Sequence, residues 1–311
     1  MTDHVSSNFL LASNVLSAKL RFMPPAQPVV LSIAGFDPSS GAGVTADIKT
    51  LAAHGCYGLG CITALTVQST TGVTQVQPVA GKIVRDTIRE LAGDFAIAAI
   101  RIGMLGSGDV VEAVADFLKE APRPNVVLDP IFKSSSGAPL LDDAAIAQLK
   151  RVLLPLATVI TPNVYEATAL TGLQVGNLAE MKAAASRLHE LGARNVVVTG
   201  GDVTGERPEK AIDLLSAEGT NGIFSQSEFA SDRVRSNSTH GTGCAFATAL
   251  AANLGLGKQL YDAVVLAKAY VKKAIARAYP LGKGQGPLNH LYRLEEQPRP
   301  VQDSFTATRE H

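Results

Sequence analysis

The strongest constraint on this chain is a hydrophobic period that switches repeatedly between 2 and 3.6. Val29 to Ala34 is a short apolar run ended by Gly35; a glycine-rich loop follows, and then Val44, Ile48, Leu51 and Ala52 fall on one helical face. The alternation continues with an apolar stretch at Leu59 to Val67, a helix carrying Val84, Ile88 and Leu91, a strand at Ala98 to Ile102, and a helix with Val110, Val114, Phe117 and Leu118. Val126 to Leu128, Val159 to Thr161 and Val196 to Thr199 read as buried strands. Between them lie helices bearing Ile146, Leu149 and Leu153, then Leu178, Met181, Ala185 and Leu188. Unbroken apolar runs suit strands covered on both faces, so the predicted fold is α/β, a central mostly parallel sheet with helices on both faces. After residue 200 the pattern changes. Ala211 to Leu215 and Gly222 to Phe229 flank the turn signal Glu218 to Gly222, which predicts a hairpin adding a short antiparallel edge. Two long helices close the chain, one beginning within Gly241-Thr242-Gly243-Cys244 and the other carrying Val264, Ala267, Val271 and Ala274.

A chain of 311 residues with 46% hydrophobic content can bury one full core, and a single domain is assigned to 28–294. The 28 basic and 28 acidic residues cancel, which removes the diffuse positive field that sequence-independent nucleic-acid binding needs. No apolar run reaches the ~18 residues of a bilayer span, so no membrane partner is expected. Cys56, Cys61 and Cys244 form an odd set with no C-x-x-C pair, which argues against a disulfide framework or zinc site and fits a reducing cytoplasm. Residues 1–27 read as an unstructured leader. Phe9 to Leu11 is too short for the apolar segment of a signal peptide, and Lys19 and Arg21 follow it rather than precede it; Met23, just before Pro24-Pro25, is an alternative start. Residues 295–311 read as a flexible tail.

Six segments carry chemistry. In Thr239-His240-Gly241-Thr242-Gly243-Cys244 the glycines let backbone N–H groups converge at a helix N-terminus, which suits a phosphate or a developing anion. Cys244 falls in the first helical turn, where a thiol pKa is expected to drop, so it is a candidate proton acceptor; a buried structural cysteine is the alternative. Ala34 to Gly43 lies at the carboxyl end of the first strand, where open α/β sheets bind ligands. Asp37 offers a carboxylate there, or merely caps a helix. Asp129, and Asn163 with Glu166, end later strands and present hard oxygens suited to Mg²⁺, although Asn163 and Glu166 also have the spacing of a capping box. Gln68 offers a donor and an acceptor to a heteroaromatic edge, and Met104 an apolar wall; a loop glutamine and a core methionine are the plainer readings. His240 either contacts phosphate or orients the turn. Cys56 and Cys61 read as core.

Taken in order, these segments resemble the hydroxymethylpyrimidine/phosphomethylpyrimidine kinases of the ribokinase-like family. The resemblance runs from about Val29 to His290. It is carried by Ala34 to Gly43, Ala46 to Thr50, Ile62 to Gln68, Ile102-Gly103-Met104-Leu105, Ile160-Thr161-Pro162-Asn163 and Thr239 to Cys244. It implies a ribokinase-like three-layer sandwich, often a homodimer, that phosphorylates the thiamin pyrimidine alcohol and then its monophosphate, with ATP as co-substrate and Mg²⁺. It also implies roles. Gln68 would bind the pyrimidine, with Ala34 and Met104 lining its pocket and Asp37 beside it; Gly241, Gly243 and Cys244 would form the anion hole. Thr239, His240, Thr242 and Lys133 would meet phosphate, and Asp129, Asn163 and Glu166 would organise Mg²⁺. Three positions depart from the family pattern: Phe36 replaces a small residue, Thr45 stands where Gln is frequent, and Thr199-Gly200-Gly201 stands where Lys-Gly-Gly is common. Lys133 could supply the missing cation. Pyridoxal kinases of the same fold share the Gly-Thr-Gly-Cys turn and are the alternative; a non-catalytic pyrimidine sensor is a second.

Overall fold

The computed structural model describes residues 27–295 apart from 124, 202, 204–206, 220 and 221. The predicted leader and tail therefore fall almost entirely outside the described residues. Nine strands form one sheet: β1 (Val29–Phe36), β2 (Tyr57–Ser69), β3 (Gly72–Pro78), β4 (Ile97–Ile102), β5 (Val126–Leu128), β6 (Val159–Ile160), β7 (Asn195–Val198), β8 (Lys210–Glu218) and β9 (Phe224–Asp232). Their order is β3-β2-β1-β4-β5-β6-β7-β8-β9, parallel from β2 to β7. The expected antiparallel edge is β8 and β9. A second one, β3 paired with the far end of β2, was not anticipated.

Strand side chains alternate between two cores, as the pleat requires. Leu31, Ile33, Ile100, Ile102, Val126, Leu128, Val196 and Val198 point to one face. There they meet α2 (Gly81–Asp94), α3 (Gly108–Glu120), α4 (Asp143–Val152), α5 (Val164–Thr171) and α6 (Leu178–Glu190). Val30, Ala99, Val127, Val159 and Val197 point the other way, to α1 (Gly43–Ala53), α7 (Thr242–Gly255) and α8 (Leu260–Ala276). A short α9 (Tyr292–Glu295) follows. The result is helix, sheet, helix. No described helix is long and apolar enough to cross a membrane. The parallel strands all end on one side, where their loops and the start of α7 enclose a crevice.

Candidate active site

That crevice is a cavity of about 930 Å³, and every site residue singled out from sequence lines it. Asp37 organises the loop after β1. Its Oδ1 accepts from the Ser39 amide at 2.8 Å and the Ser39 hydroxyl at 2.7 Å. Its Oδ2 accepts from the Ala42 amide at 2.9 Å and lies 2.9 Å from His240 Nε2. Burial works to raise this carboxyl, but the hydrogen bonds from His240, Ser39 and Ala42 outweigh it and hold the group below its ordinary range. Asp37 thus ties the loop to Ala42, the residue before α1, although that helix has no side-chain cap. Thr45, one of the departures, donates its hydroxyl to the Asp37 carbonyl at 3.0 Å.

The Thr239–Cys244 turn sits against that loop. Gly241 caps α7 at φ +82°, and a Cβ there would overlap the Gly41 carbonyl oxygen, so the two glycine loops meet backbone to backbone. His240 joins them through its side chain. Its Nε2 lies 2.9 Å from Asp37 Oδ2 and its Nδ1 lies 3.2 Å from the Ser135 hydroxyl. Gln68, at the far end of β2, approaches the same ring at 3.2 Å, and Thr66 donates to its Oε1 at 3.2 Å. An amide has two donors and two acceptor lone pairs, so each end keeps capacity for a ligand. Ala34 and Met104 form the adjoining apolar wall, where Gly35 packs directly on the Met104 sulfur.

Cys244 departs from expectation. The helix N-terminus was expected to lower its pKa; instead burial pushes the thiol up to about 11, with Arg101 opposing and Asp129 and Asp47 reinforcing. Its neighbourhood is a buried ionic cluster that sequence reasoning missed. Arg101, wholly buried on β4, donates from Nη1 to Asp47 at 3.0 Å and from Nη2 to Asp129 at 2.7 Å. Asp129 is therefore held first by a cation, and burial, opposed by Arg101 and aided by Asp47, keeps it above the ordinary carboxylate range. Asn163 and Glu166 form the reciprocal capping box of α5: Asn163 Oδ1 accepts from the Glu166 amide at 2.9 Å, and Glu166 Oε2 accepts from the Asn163 amide at 2.8 Å.

This donor set fits Mg²⁺ in the form such sites usually take. Mg²⁺ keeps several waters and needs only one or two carboxylates plus phosphate oxygens. Asp129 and Glu166 both line the cavity, and among the described residues there is no group of three or more His, Cys, Asp or Glu that could cage a metal without substrate.

The far end of the cavity carries cations that the sequence did not single out. Lys268 on α8 pairs with Asp213 at 2.6 Å and donates to the Ala211 carbonyl at 3.1 Å. Arg233 donates to the carbonyls of Gly201, Val203, Pro208 and Lys210, tying the segment after β7 to the end of β9. Arg235 and Lys272 line the same end. Lys133 lies on the rim, 4.4 Å from the Tyr165 ring centroid. Thr199 bridges to Asn163, beside the capping box.

Comparison with known proteins decides the family. The phosphomethylpyrimidine kinase family matches residues 37–289. The chain belongs to this family. The hydroxymethylpyrimidine/phosphomethylpyrimidine kinase of Haemophilus influenzae is 41% identical over 262 residues, covering 84% of this chain and 96% of that protein. A crystal structure of phosphomethylpyrimidine kinase from Clostridium difficile superposes with a TM-score of 0.68 at 36% identity, over 80% of this chain and all of that one. Bacillus subtilis pyridoxal kinase, solved with ADP, gives a TM-score of 0.77 at 33% identity over 86% of this chain and all of that one. The phosphomethylpyrimidine kinase match thus takes in the Asp37 loop, Gln68 and the Thr239–Cys244 turn, while the same architecture also serves pyridoxal kinases.

Proposed function

We propose that the chain transfers the terminal phosphoryl group of ATP to the hydroxymethyl oxygen of 4-amino-5-hydroxymethyl-2-methylpyrimidine, and then a second one to the monophosphate. The observation that carries this is the shared cavity. The amide of Gln68 and the apolar wall of Ala34 and Met104 stand at one end, the first turn of α7 in the middle, and Lys268, Lys272, Arg233 and Arg235 at the other. A flat heteroaromatic alcohol fits the first end and a nucleotide triphosphate the last. Their reacting atoms then meet at the N-terminus of α7.

The hydroxymethyl oxygen attacks phosphorus as the bond to ADP breaks, and negative charge gathers on the transferred oxygens. Backbone N–H groups of Gly241, Gly243 and Cys244, with the positive end of the helix dipole, are placed for that charge. Asp129 and Glu166, with Asn163 fixing the turn, would hold Mg²⁺, which would supply charge neutralisation to the phosphates. Thr239, His240, Thr242 and Lys133 complete the phosphate surroundings. A thiol with a pKa of about 11 is already protonated at neutral pH and cannot take the hydroxyl proton, so that proton passes late, to a transferred phosphoryl oxygen or to water, and Cys244 contributes its backbone N–H. The reading extends to a cytoplasmic homodimer. Exposed Ile62, Leu65 and Val67 on β2 supply an apolar surface for a second copy.

Pyridoxal kinase is the second reading, favoured by the TM-score of 0.77 to such an enzyme. The test is product formation by mass spectrometry with ATP–Mg²⁺ and, in parallel, hydroxymethylpyrimidine, its monophosphate, pyridoxal and hydroxyethylthiazole. Conversion of the pyrimidine to its diphosphate is expected. Turnover of pyridoxal alone moves the substrate assignment, and no turnover of any favours a pyrimidine sensor.

A further inference from the structure

The buried cluster beneath the anion hole has a geometry that its charge balance does not explain. Asp47, fully buried on α1, accepts the Ser32 hydroxyl of β1 at 2.6 Å, Arg101 Nη1 of β4 at 3.0 Å and the Thr248 hydroxyl of α7 at 2.7 Å. Arg101 carries the connection on to Asp129 after β5. Gly103 makes room for it, since a Cβ at 103 would overlap the guanidinium. One carboxylate and one guanidinium therefore join three strands and one helix to α7.

The tie matters because of what else holds α7. Its buried surface mixes Ala245, Ala247, Ala249, Ala251 and Ala252 with one ridge of Phe246, Leu250 and Leu254. The alanine rows are shallow, so directional bonds share with that single ridge the task of fixing the helix along its axis. A hydrogen bond to a buried carboxylate is directional and costly to leave unmade. Thr248 lies one turn after Cys244, whose carbonyl it also approaches at 2.7 Å. Fixing Thr248 therefore fixes the turn that presents the anion-hole N–H groups.

We propose that Asp47, Arg101 and Thr248 are positioning residues: a bracket that sets the axial position of α7, and through it the anion hole, relative to Asp129 and the substrate wall. The effect falls on the transition state, where charge on the transferred phosphoryl group makes donor placement count most.

Arg101→Met leaves two buried carboxylates without their cation and is expected to misfold, so Thr248→Val, close in shape and lacking only the hydroxyl, is the deciding variant, with Thr248→Ser as its rescue. The kinetic arm rests on the kinase reading. Thr248→Val should lower kcat at least tenfold with KM for the pyrimidine within twofold of wild type, and Thr248→Ser should restore kcat. Alkylation of Cys244 by iodoacetamide, followed by peptide mass mapping, needs no turnover and so tests the bracket whatever the substrate is. Its rate should rise several-fold in Thr248→Val and not in Thr248→Ser, with Cys56 and Cys61 unchanged in both. A merely structural threonine would lower the melting temperature while leaving kcat per folded site and Cys244 alkylation as in wild type. That result, or a serine variant as impaired as the valine one, overturns the proposal.

Discussion

Gly241→Ala and Gly243→Ala change two glycines of one turn and should behave very differently. At Gly241 the backbone holds φ +82°, a region that costs an L-residue about 1 to 2 kcal/mol. The added methyl also meets the Gly41 carbonyl oxygen, a backbone atom with no rotamer to escape into. Relief requires the β1–α1 loop and the start of α7 to separate by on the order of 1 Å, and a misplacement of that size costs roughly 100-fold in rate, or about 2.7 kcal/mol. At Gly243 the backbone has no such φ and a Cβ meets nothing within 4 Å. Gly241→Ala should therefore lose about 2 to 4 kcal/mol of stability, a fall of roughly 5 to 10 °C in melting temperature, together with about two orders of magnitude in kcat. Gly243→Ala should melt within a degree or two of wild type. Thermal unfolding and coupled ADP release measure both. Equal melting temperatures for the two variants would refute the backbone-contact argument. A stable but inactive Gly243→Ala would show instead that ligand, rather than protein, fills the space at 243.

Burial holds Cys244 at about 11, so no thiol ionisation falls between pH 6 and 9, and wild type and Cys244→Ala should give kcat–pH profiles of the same shape over that range; a rise near pH 8 in wild type alone would contradict this. His54 and His290 are pushed down to about 4 by burial, so their unfolded forms bind protons first as pH falls below about 6.5. The stability that depends on their neutrality is complete above that pH and is lost toward pH 4, about 2 kcal/mol each by pH 5, which urea unfolding at pH 7.5 and 5.0 would register as a lowered midpoint. If Lys133 supplies charge at the phosphate end, Lys133→Ala should lower kcat/KM for ATP several-fold with little change in melting temperature; unchanged kinetics would leave its contact with Tyr165 as its only role.

The parallel strands were legible because each is covered on both faces, which leaves a short apolar run bounded by loop residues. Val126 to Leu128 and Val196 to Val198 are of this kind, every residue buried. The strand β3 was not legible for the converse reason. Gly72–Pro78 is an exposed edge with Thr, Gln and Gln among its residues, so it offers neither an apolar run nor clean alternation, and only pairing with the long end of β2 makes it a strand. The glycine turns were readable because their chemistry is local: a backbone that must approach another backbone needs glycine whatever the rest of the fold does.

Long-range charge was not local, and this divides the site. Arg101 stands within the run Ala98 to Ile102, where a lone charge carries no indication of its partners, and those partners lie 54 residues before and 28 after it. The expectation for Cys244 failed through the same omission. A helix N-terminus lowers a thiol pKa in partly exposed, electropositive surroundings, but here desolvation leads and Asp47 and Asp129 add to it, so a single cation does not reverse the shift. Asn163 and Glu166 show the remaining case, a spacing that satisfies two chemistries at once. Their capping bonds leave Glu166 at the cavity wall, so holding α5 and serving a hydrated cation are compatible roles for one carboxylate, and geometry rather than residue type is what joins them.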